Sequence, residues 1–246
     1  MRKKSISIVF WIALAICTLF VVYGAILPKQ LEAITQNITS FIAVNFSWYY
    51  LLLVLIIFFI CVYLLFSRYA SITLGVEGEE PEFSLLSWFA MLFSAGMGIG
   101  LVFWTTAEPV SHAYKATPIH KIGTQAAIND AFQFAFFHWG IHAWAVYGIV
   151  ALVFAYFNFH KGYPGLVSAT LVPIFGEKRM RGPIGSAIDV LAVIATVTGV
   201  AATLGFGALQ INEGLHYLFK VPSHFGTQVI IIIIATILFS WSAWSG

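Results

Sequence analysis

Residues 85–107, LLSWFAMLFSAGMGIGLVFWTTA, decide how this chain folds. The run holds no charged residue and is long enough to cross a bilayer as a helix, which needs about 20 apolar residues. Its centre, Ser94-Ala95-Gly96-Met97-Gly98-Ile99-Gly100, alternates three glycines over five residues. Each glycine costs about 1 kcal/mol of helix propensity relative to alanine. Close packing of membrane helices uses small residues four apart. Gly96 and Gly100 satisfy that spacing, whereas Gly98 falls on the opposite side. The third glycine predicts a helix that is stretched or unwound at this point. Irregular backbone at membrane depth is tolerated where it is buried in protein or lines a cavity, and broken helices of this kind carry the binding sites of secondary transporters. A tight helix crossing with no ligand is the competing reading of the same spacing.

The rest of the chain supports lipid as the solvent. It has 246 residues, 60% hydrophobic and 9% charged, with mean hydropathy +0.91. A soluble domain carries roughly 25% charged residues, so these charges are too few to cover a water-soluble globule. The net charge of +2 comes without a basic stripe, which argues against a nucleic-acid partner. Cys17 and Cys61 lie in apolar runs, where cysteine behaves as a small hydrophobe rather than as half of a disulfide.

Six apolar stretches are expected to span the membrane, at about 6–27, 48–66, 85–107, 131–157, 186–212 and 227–244. The first follows Arg2, Lys3 and Lys4, but its apolar run exceeds a signal-peptide core of about 7–15 residues and no small-residue cleavage site follows. Pro28, Gly75 to Pro81, Pro118, Gly162 to Gly165, Gly182-Pro183 and Pro222 punctuate the segments between. Glu77, Glu79, Glu80 and Glu82 read as a solvated loop. With the N-terminus inside, Arg2, Lys3, Lys4, Arg68, Lys161, Lys178, Arg179 and Arg181 fall on the inner side. Lys29, Lys115, Lys121 and Lys220 fall outside. That asymmetry predicts a cytoplasmic N-terminus. The chain stops at Ser245-Gly246 directly after an apolar run, the pattern expected of a truncated protein.

The fourth stretch carries Phe136-Phe137-His138-Trp139-Gly140-Ile141-His142-Ala143-Trp144-Ala145-Val146-Tyr147. On a continuous helix at about 100° per residue, Trp144 lies about 140° from Trp139 with Tyr147 between them, on one broad face. Aromatic faces attract quaternary ammonium groups through the ring quadrupole. Such a cation has no N–H to donate and no deprotonated form, so a desolvated cage selects it without a carboxylate. Packing between helices is the alternative use of the same rings. His138 and His142, four apart, could pair on a metal, but no third ligand is evident and hydrogen-bonding core histidines are the simpler reading. Glu108-Pro109 reads as the outer end of the third span. Asp189 is expected to pair with a neighbouring basic residue. Thr196, Thr198 and Thr203 are expected to bond carbonyls three or four residues back, with ligation of sodium as the alternative.

Ala95-Gly96-Met97-Gly98-Ile99-Gly100-Leu101 with Ala107-Glu108-Pro109 resembles the glycine-rich third helix of the betaine/carnitine/choline transporter family. Phe137-His138-Trp139-Gly140 with Trp144 and Tyr147 resembles that family's fourth helix, and Ile188 to Ala192 with Gly205 to Ile211 its fifth. The resemblance runs from about residue 5 to the end. It implies an all-α, twelve-helix secondary transporter of the leucine-transporter-like inverted-repeat fold. Residues 1–246 would form the N-terminal part of one transporter domain: two leading helices over about 6–66 and the first four helices of the first repeat over about 85–244.

The resemblance also assigns roles. Trp139, Trp144 and Tyr147 would form a cage for a trimethylammonium group, and the backbone from Ala95 through Gly96, Met97, Gly98 and Ile99 to Gly100 would contact substrate. Carbonyls near Ser94 and Met97 would contribute to one sodium site. Thr196 would belong to a second, although Val200 stands where a partner threonine is expected. No cofactor is implied beyond sodium as a coupling ion. The expected protein is a sodium- or proton-coupled symporter for glycine betaine, choline or carnitine in a bacterial plasma membrane, with a homotrimer implied by the family. Two rival classes are a non-transporting fragment and a membrane-embedded enzyme. The latter would have only Glu108, His138 and His142 to work with, and their spacing provides no metal set.

Overall fold

A computed structural model describes residues 7–75, 78, 80–96, 98–117 and 119–245, with the side chains of residues 95, 96, 99 and 245 left aside. The expectations placed on Arg2, Lys3, Lys4, Glu77, Glu79, Met97, Pro118 and Gly246 lie outside the described residues. Among those residues every regular element is a helix, with no strand. Among the described residues five helical stretches are long and apolar enough to cross a membrane, Ile8–Ile26, Pro28–Phe66, Gln125–His160, Pro183–Phe219 and Phe225–Trp244, the third of them interrupted at Gly140. The third expected span, 85–107, is divided into two helices.

The buried core is made largely of alanines, among them Ala13, Ala113, Ala127, Ala131, Ala169 and Ala208. The large apolar side chains point outward instead. Phe66 is 83% and Trp244 92% exposed. In water such a surface would aggregate. In lipid it is the expected arrangement, because helices associate there through small residues and close backbone approach.

The chain divides into two compact units, Met1–Glu80 with Phe137–Ala195, and Pro81–Phe136 with Thr196–Gly246. The first begins with a helical hairpin of α1 (Ile8–Ile26) and α2 (Pro28–Phe66). Pro28 sits at the first helical position of α2, where its missing N–H costs nothing. Gly24 lets the helices close, since a Cβ there would lie 2.9 Å from Leu31 Cδ2. The sequence places a span only over 48–66, yet α2 runs for 39 residues. At 1.5 Å per residue that is roughly 58 Å, against a hydrocarbon core of about 30 Å. Its first half is polar but remains helical: Thr35 Oγ1 donates to the Leu31 and Glu32 carbonyls (2.9 Å each), and Asn45 Nδ2 to the Phe41 carbonyl (2.7 Å). Hydropathy marks where lipid begins, not where the helix does.

Helix α2 packs along the segment that completes this unit. There Cys61 Sγ donates to the Ala145 carbonyl at 3.6 Å. Both cysteines are free thiols, as their apolar settings predict.

In the second unit α3 (Leu85–Gly96) and α4 (Ile99–Tyr114) replace the single expected third span. Helix α5 (Gln125–Trp139) opens on a cap from Thr124, whose Oγ1 accepts from the Ala127 N–H at 3.2 Å. Helix α6 (Ile141–Ala155), which with the short helices after it belongs to the first unit, ends in a π-helical turn at Tyr156–His160. Three one-turn helices come next, α7 (Val167–Thr170), α8 (Val172–Phe175) and α9 (Glu177–Met180), then α10 (Pro183–Phe219) and α11 (Phe225–Ser245). The return from α9 into α10 requires Gly185, because a Cβ there would lie 1.8 Å from the Met180 carbonyl oxygen.

Among the described residues Asp189 is not paired with a basic residue as the sequence reading expects. Its carboxylate accepts from the Ser168 N–H at 2.9 Å and from the Ser168 hydroxyl at 2.7 Å. Both residues are buried. The carboxylate satisfies a donor at the start of α7 that the short helix cannot satisfy itself. Arg181, nearby in the sequence, pairs instead with Glu177 at 2.7 Å, one turn back.

Candidate functional site

The glycine-rich stretch breaks the third span where the residue spacing predicts it. Ser94, Ala95 and Gly96 end α3, Gly98 is extended (φ −64°, ψ 171°), and Ile99 and Gly100 open α4. The break exposes two sets of backbone groups. The last carbonyls of α3 and the first N–H groups of α4 have no partners within their own helices. The helix dipoles make the first set attractive to cations and the second to anions. A Cβ at Gly98 would meet nothing within 4 Å, while one at Gly100 would lie 3.7 Å from Thr203 Cγ2. Gly100 therefore sets the packing of α4 on α10, and Gly98 leaves open space. Thr203 Oγ1 returns a bond to the Gly199 carbonyl at 3.0 Å, the back-bonding expected of a membrane threonine.

One turn beyond the break, Phe103 stacks on Phe206 (centroids 5.0 Å apart, 20° between planes), and Trp104 meets the same ring edge-on at 5.6 Å. These rings fix α4 against α10. Their one-turn recurrence after the glycines was the signal available in the sequence. Thr196 lies on α10 and is exposed, as is Val200, which has no hydroxyl to offer. Glu108 does not end a helix: α4 continues to Tyr114 with Pro109 inside it. The helix begins only at Ile99, after the break, so Glu108 falls in its interior. There its carboxylate lies 3.3 Å from His112 Nε2, one turn on.

The aromatic segment also differs from a continuous helix. Gly140 is extended (φ −84°, ψ −151°) and separates α5 from α6. The angle of about 140° between Trp139 and Trp144 assumes an unbroken helix and does not carry across this residue. The rings are associated by other means. Trp144 and Tyr147 meet edge to face at 6.0 Å and 72°. Trp144 Nε1 donates to the Trp139 carbonyl at 3.1 Å. Trp144 is 44% and Tyr147 51% exposed, with Trp139 half-buried. The two rings on α6 thus present open faces rather than filling a core.

His142 lies against Phe137 (4.9 Å) and Phe58 (5.8 Å). With His138 it lines a half-open groove of about 390 Å³ against Tyr50, Leu51, Val54 and Leu55 of α2. None of Trp139, Trp144 and Tyr147 lines that groove. The aromatic set belongs to the first unit, and the glycine break and Thr196 belong to the second.

Interrupted membrane helices, an outward apolar surface and exposed aromatic rings define a multi-pass membrane protein of the broken-helix kind found among transporters. The betaine/carnitine/choline family transporter pattern matches residues 8–246, and the chain belongs to that family. The family is one of transporters, not enzymes. The chain is 55% identical over 243 residues to the glycine betaine transporter OpuD of Bacillus subtilis, covering 99% of this chain and 47% of that protein. It is 41% identical to the ectoine/hydroxyectoine transporter of Virgibacillus pantothenticus, over 95% of this chain and 47% of the other. It is 38% identical to the high-affinity choline transport protein of Escherichia coli K12, over 100% of this chain and 36% of the other. The chain thus spans half or less of the length of these relatives.

Proposed function

We propose that this chain forms the N-terminal part of a symporter that carries quaternary ammonium osmolytes, glycine betaine first, with choline and carnitine as the nearest alternatives. The observation that carries the reading is the open aromatic pair Trp144–Tyr147, tied through the Trp144 indole to the backbone of Trp139. A trimethylammonium group cannot donate a hydrogen bond, so ring faces and exclusion of water are what can hold it. The transporters of betaine and choline among its relatives support the same substrate class.

The backbone of Ala95 to Gly100 would contact the substrate. The carbonyls near Ser94 and Met97 would help hold a coupling sodium, and Thr196 would contribute to a second ion site that Val200 leaves incomplete. The last carbonyls of α3, which lack donors within their own helix, support cation binding there through charge and lone pairs. Cation binding would organise the break, the osmolyte would enter, and the bundle would rock to the other side. In this reading the protein lies in a bacterial plasma membrane with its N-terminus in the cytoplasm, in keeping with the lysine and arginine asymmetry. Its expected assembly is a homotrimer.

The test is uptake of labelled glycine betaine, choline and carnitine by cells carrying the complete open reading frame, with sodium or with choline-free potassium buffer. Betaine uptake that requires sodium and is abolished by Trp139→Ala or Trp144→Ala at normal expression is the expected result. Near-normal uptake by both variants would exclude the cage. Uptake indifferent to sodium but driven by a proton gradient would exclude sodium coupling alone.

A further inference from the structure

Among the described residues Asn212 is the largest fully buried side chain, at 0% exposure. It sits in the last turns of α10, before the tight link to α11. Its Nδ2 donates to Ser223 Oγ at 3.4 Å, and the Ser223 hydroxyl donates in turn to Glu213 Oε1. Its Oδ1, on the same planar amide, has no hydrogen-bond donor. A buried amide oxygen without a partner is rare and costly enough to require an explanation.

The charges around it sharpen the point. Among the described residues Glu213 forms no ion pair, and it is the one acid in the stretch 208–228. Lys220, the one ammonium in that stretch, lies over the Tyr217 ring at 6.0 Å instead. His216 Nδ1 is committed to the Val221 carbonyl at 2.8 Å, and His224 Nδ1 accepts from the Thr227 N–H at 3.2 Å. Thr227 Oγ1 donates to the Pro222 carbonyl at 2.8 Å, and Lys220 takes a positive φ of 57°. The link is therefore held in shape by bonds that do not involve Glu213. Beside the unpartnered amide oxygen stand a lone pair of the Ser223 hydroxyl and the Glu213 carboxylate, both on exposed residues and linked to each other and to Asn212 through Ser223.

We propose that Asn212, Glu213 and Ser223 bind a small alkali cation at the α10–α11 link. Hard cations take oxygen donors of this kind. A single carboxylate balances one positive charge, which favours a monovalent over a divalent ion. The cation would complete the Asn212 oxygen and neutralise Glu213, fastening α11 to the end of α10. This site uses none of the residues assigned above to substrate or coupling ions, and it stands whether or not the transport reading does.

The experiment uses the protein expressed from its complete open reading frame, purified in detergent without substrate. Its thermal midpoint is followed against sodium chloride, with N-methylglucamine chloride holding ionic strength constant. Thr196→Ala serves as the background, so that the ion contact proposed there does not contribute. In that background sodium is expected to raise the midpoint saturably. Adding Glu213→Gln, which keeps the shape and removes the charge, is expected to shrink the rise clearly, leaving only what the carbonyls near Ser94 and Met97 contribute. Asn212→Leu should do the same where it folds. Absence of a sodium-dependent rise in the background, or an equal rise after Glu213→Gln, would overturn the site.

Discussion

The indole of Trp144 donates to the backbone carbonyl of Trp139 at 3.1 Å, across the interruption at Gly140. A carbonyl at the end of α5 lacks an intrahelical donor, and the Trp144 ring supplies one. The same ring contacts Tyr147. Trp144 thus has two separable jobs, holding the break and offering a ring face. Trp144→Phe keeps an aromatic face and removes the N–H. Trp144→Ala removes both. If the ring binds a cation, worth about 0.5–2 kcal/mol, Trp144→Ala should weaken betaine affinity by roughly 2- to 30-fold through the lost ring alone, and further through the loosened break. Trp144→Phe should fall between it and the wild type. The ordering is read from the KM of betaine uptake at matched surface expression. A Phe variant as impaired as Ala would assign the role of Trp144 to its hydrogen bond.

The glycines separate into structural and permissive positions. Gly185 cannot accept a Cβ, which would sit 1.8 Å from the Met180 carbonyl. Gly98 can, with nothing within 4 Å. Gly185→Ala is expected to abolish folded protein in the membrane. Gly98→Ala is expected to express and to run as a single species on size-exclusion chromatography, while losing uptake if that open space admits substrate. Alanine also favours helix over glycine by about 1 kcal/mol, so the substitution biases the break towards closure. Normal uptake by Gly98→Ala would remove the segment from the transport mechanism.

Asp189 and Ser168 form a buried pair in which one carboxylate serves two donors of one residue. Hydrogen bonds to a charged group contribute about 1.5–3 kcal/mol. Asp189→Ala leaves both Ser168 donors unmet, whereas Ser168→Ala removes only the hydroxyl bond and keeps the one from the N–H. The first should therefore lower the thermal midpoint more than the second. The double variant should be no worse than Asp189→Ala alone, a coupling that a double-mutant cycle measures. Strictly additive losses would show that the two side chains act independently.

These relationships differ in how far the sequence announced them. The apolar runs located the spans because lipid demands a length of apolar chain, and the alternating glycines located the break between α3 and α4. The break at Gly140 was not legible. A lone glycine among aromatic residues reads equally as a thin spot in a continuous helix, and only the backbone angles distinguish the two. The polar first half of α2 was missed because hydropathy does not report helix outside lipid. Asp189 was misassigned because a carboxylate near several basic residues looks like half of an ion pair. Its Ser168 partner lies 21 residues away, brought there by the α7–α9 turns.

A similar long-range bond holds the segment between α4 and α5. Asp130 is buried on α5, and its Oδ2 accepts from the His120 backbone N–H at 3.2 Å and from His120 Nδ1 at 2.6 Å. The Gly123 N–H adds a bond to the Ala113 carbonyl at 3.0 Å. The imidazole is half exposed, so its removal opens little buried surface and leaves the backbone bond intact. Removing the carboxylate loses both bonds and strands the His120 N–H. Asp130→Ala is thus expected to cost roughly 1.5–3 kcal/mol and His120→Ala distinctly less, with Asp130→Asn between them because an amide oxygen can accept one of the two. Hydrogen exchange at residues 119–124 should rise in the order wild type, His120→Ala, Asp130→Asn, Asp130→Ala. Equal exchange in wild type and Asp130→Ala would show that the carboxylate does not hold this segment.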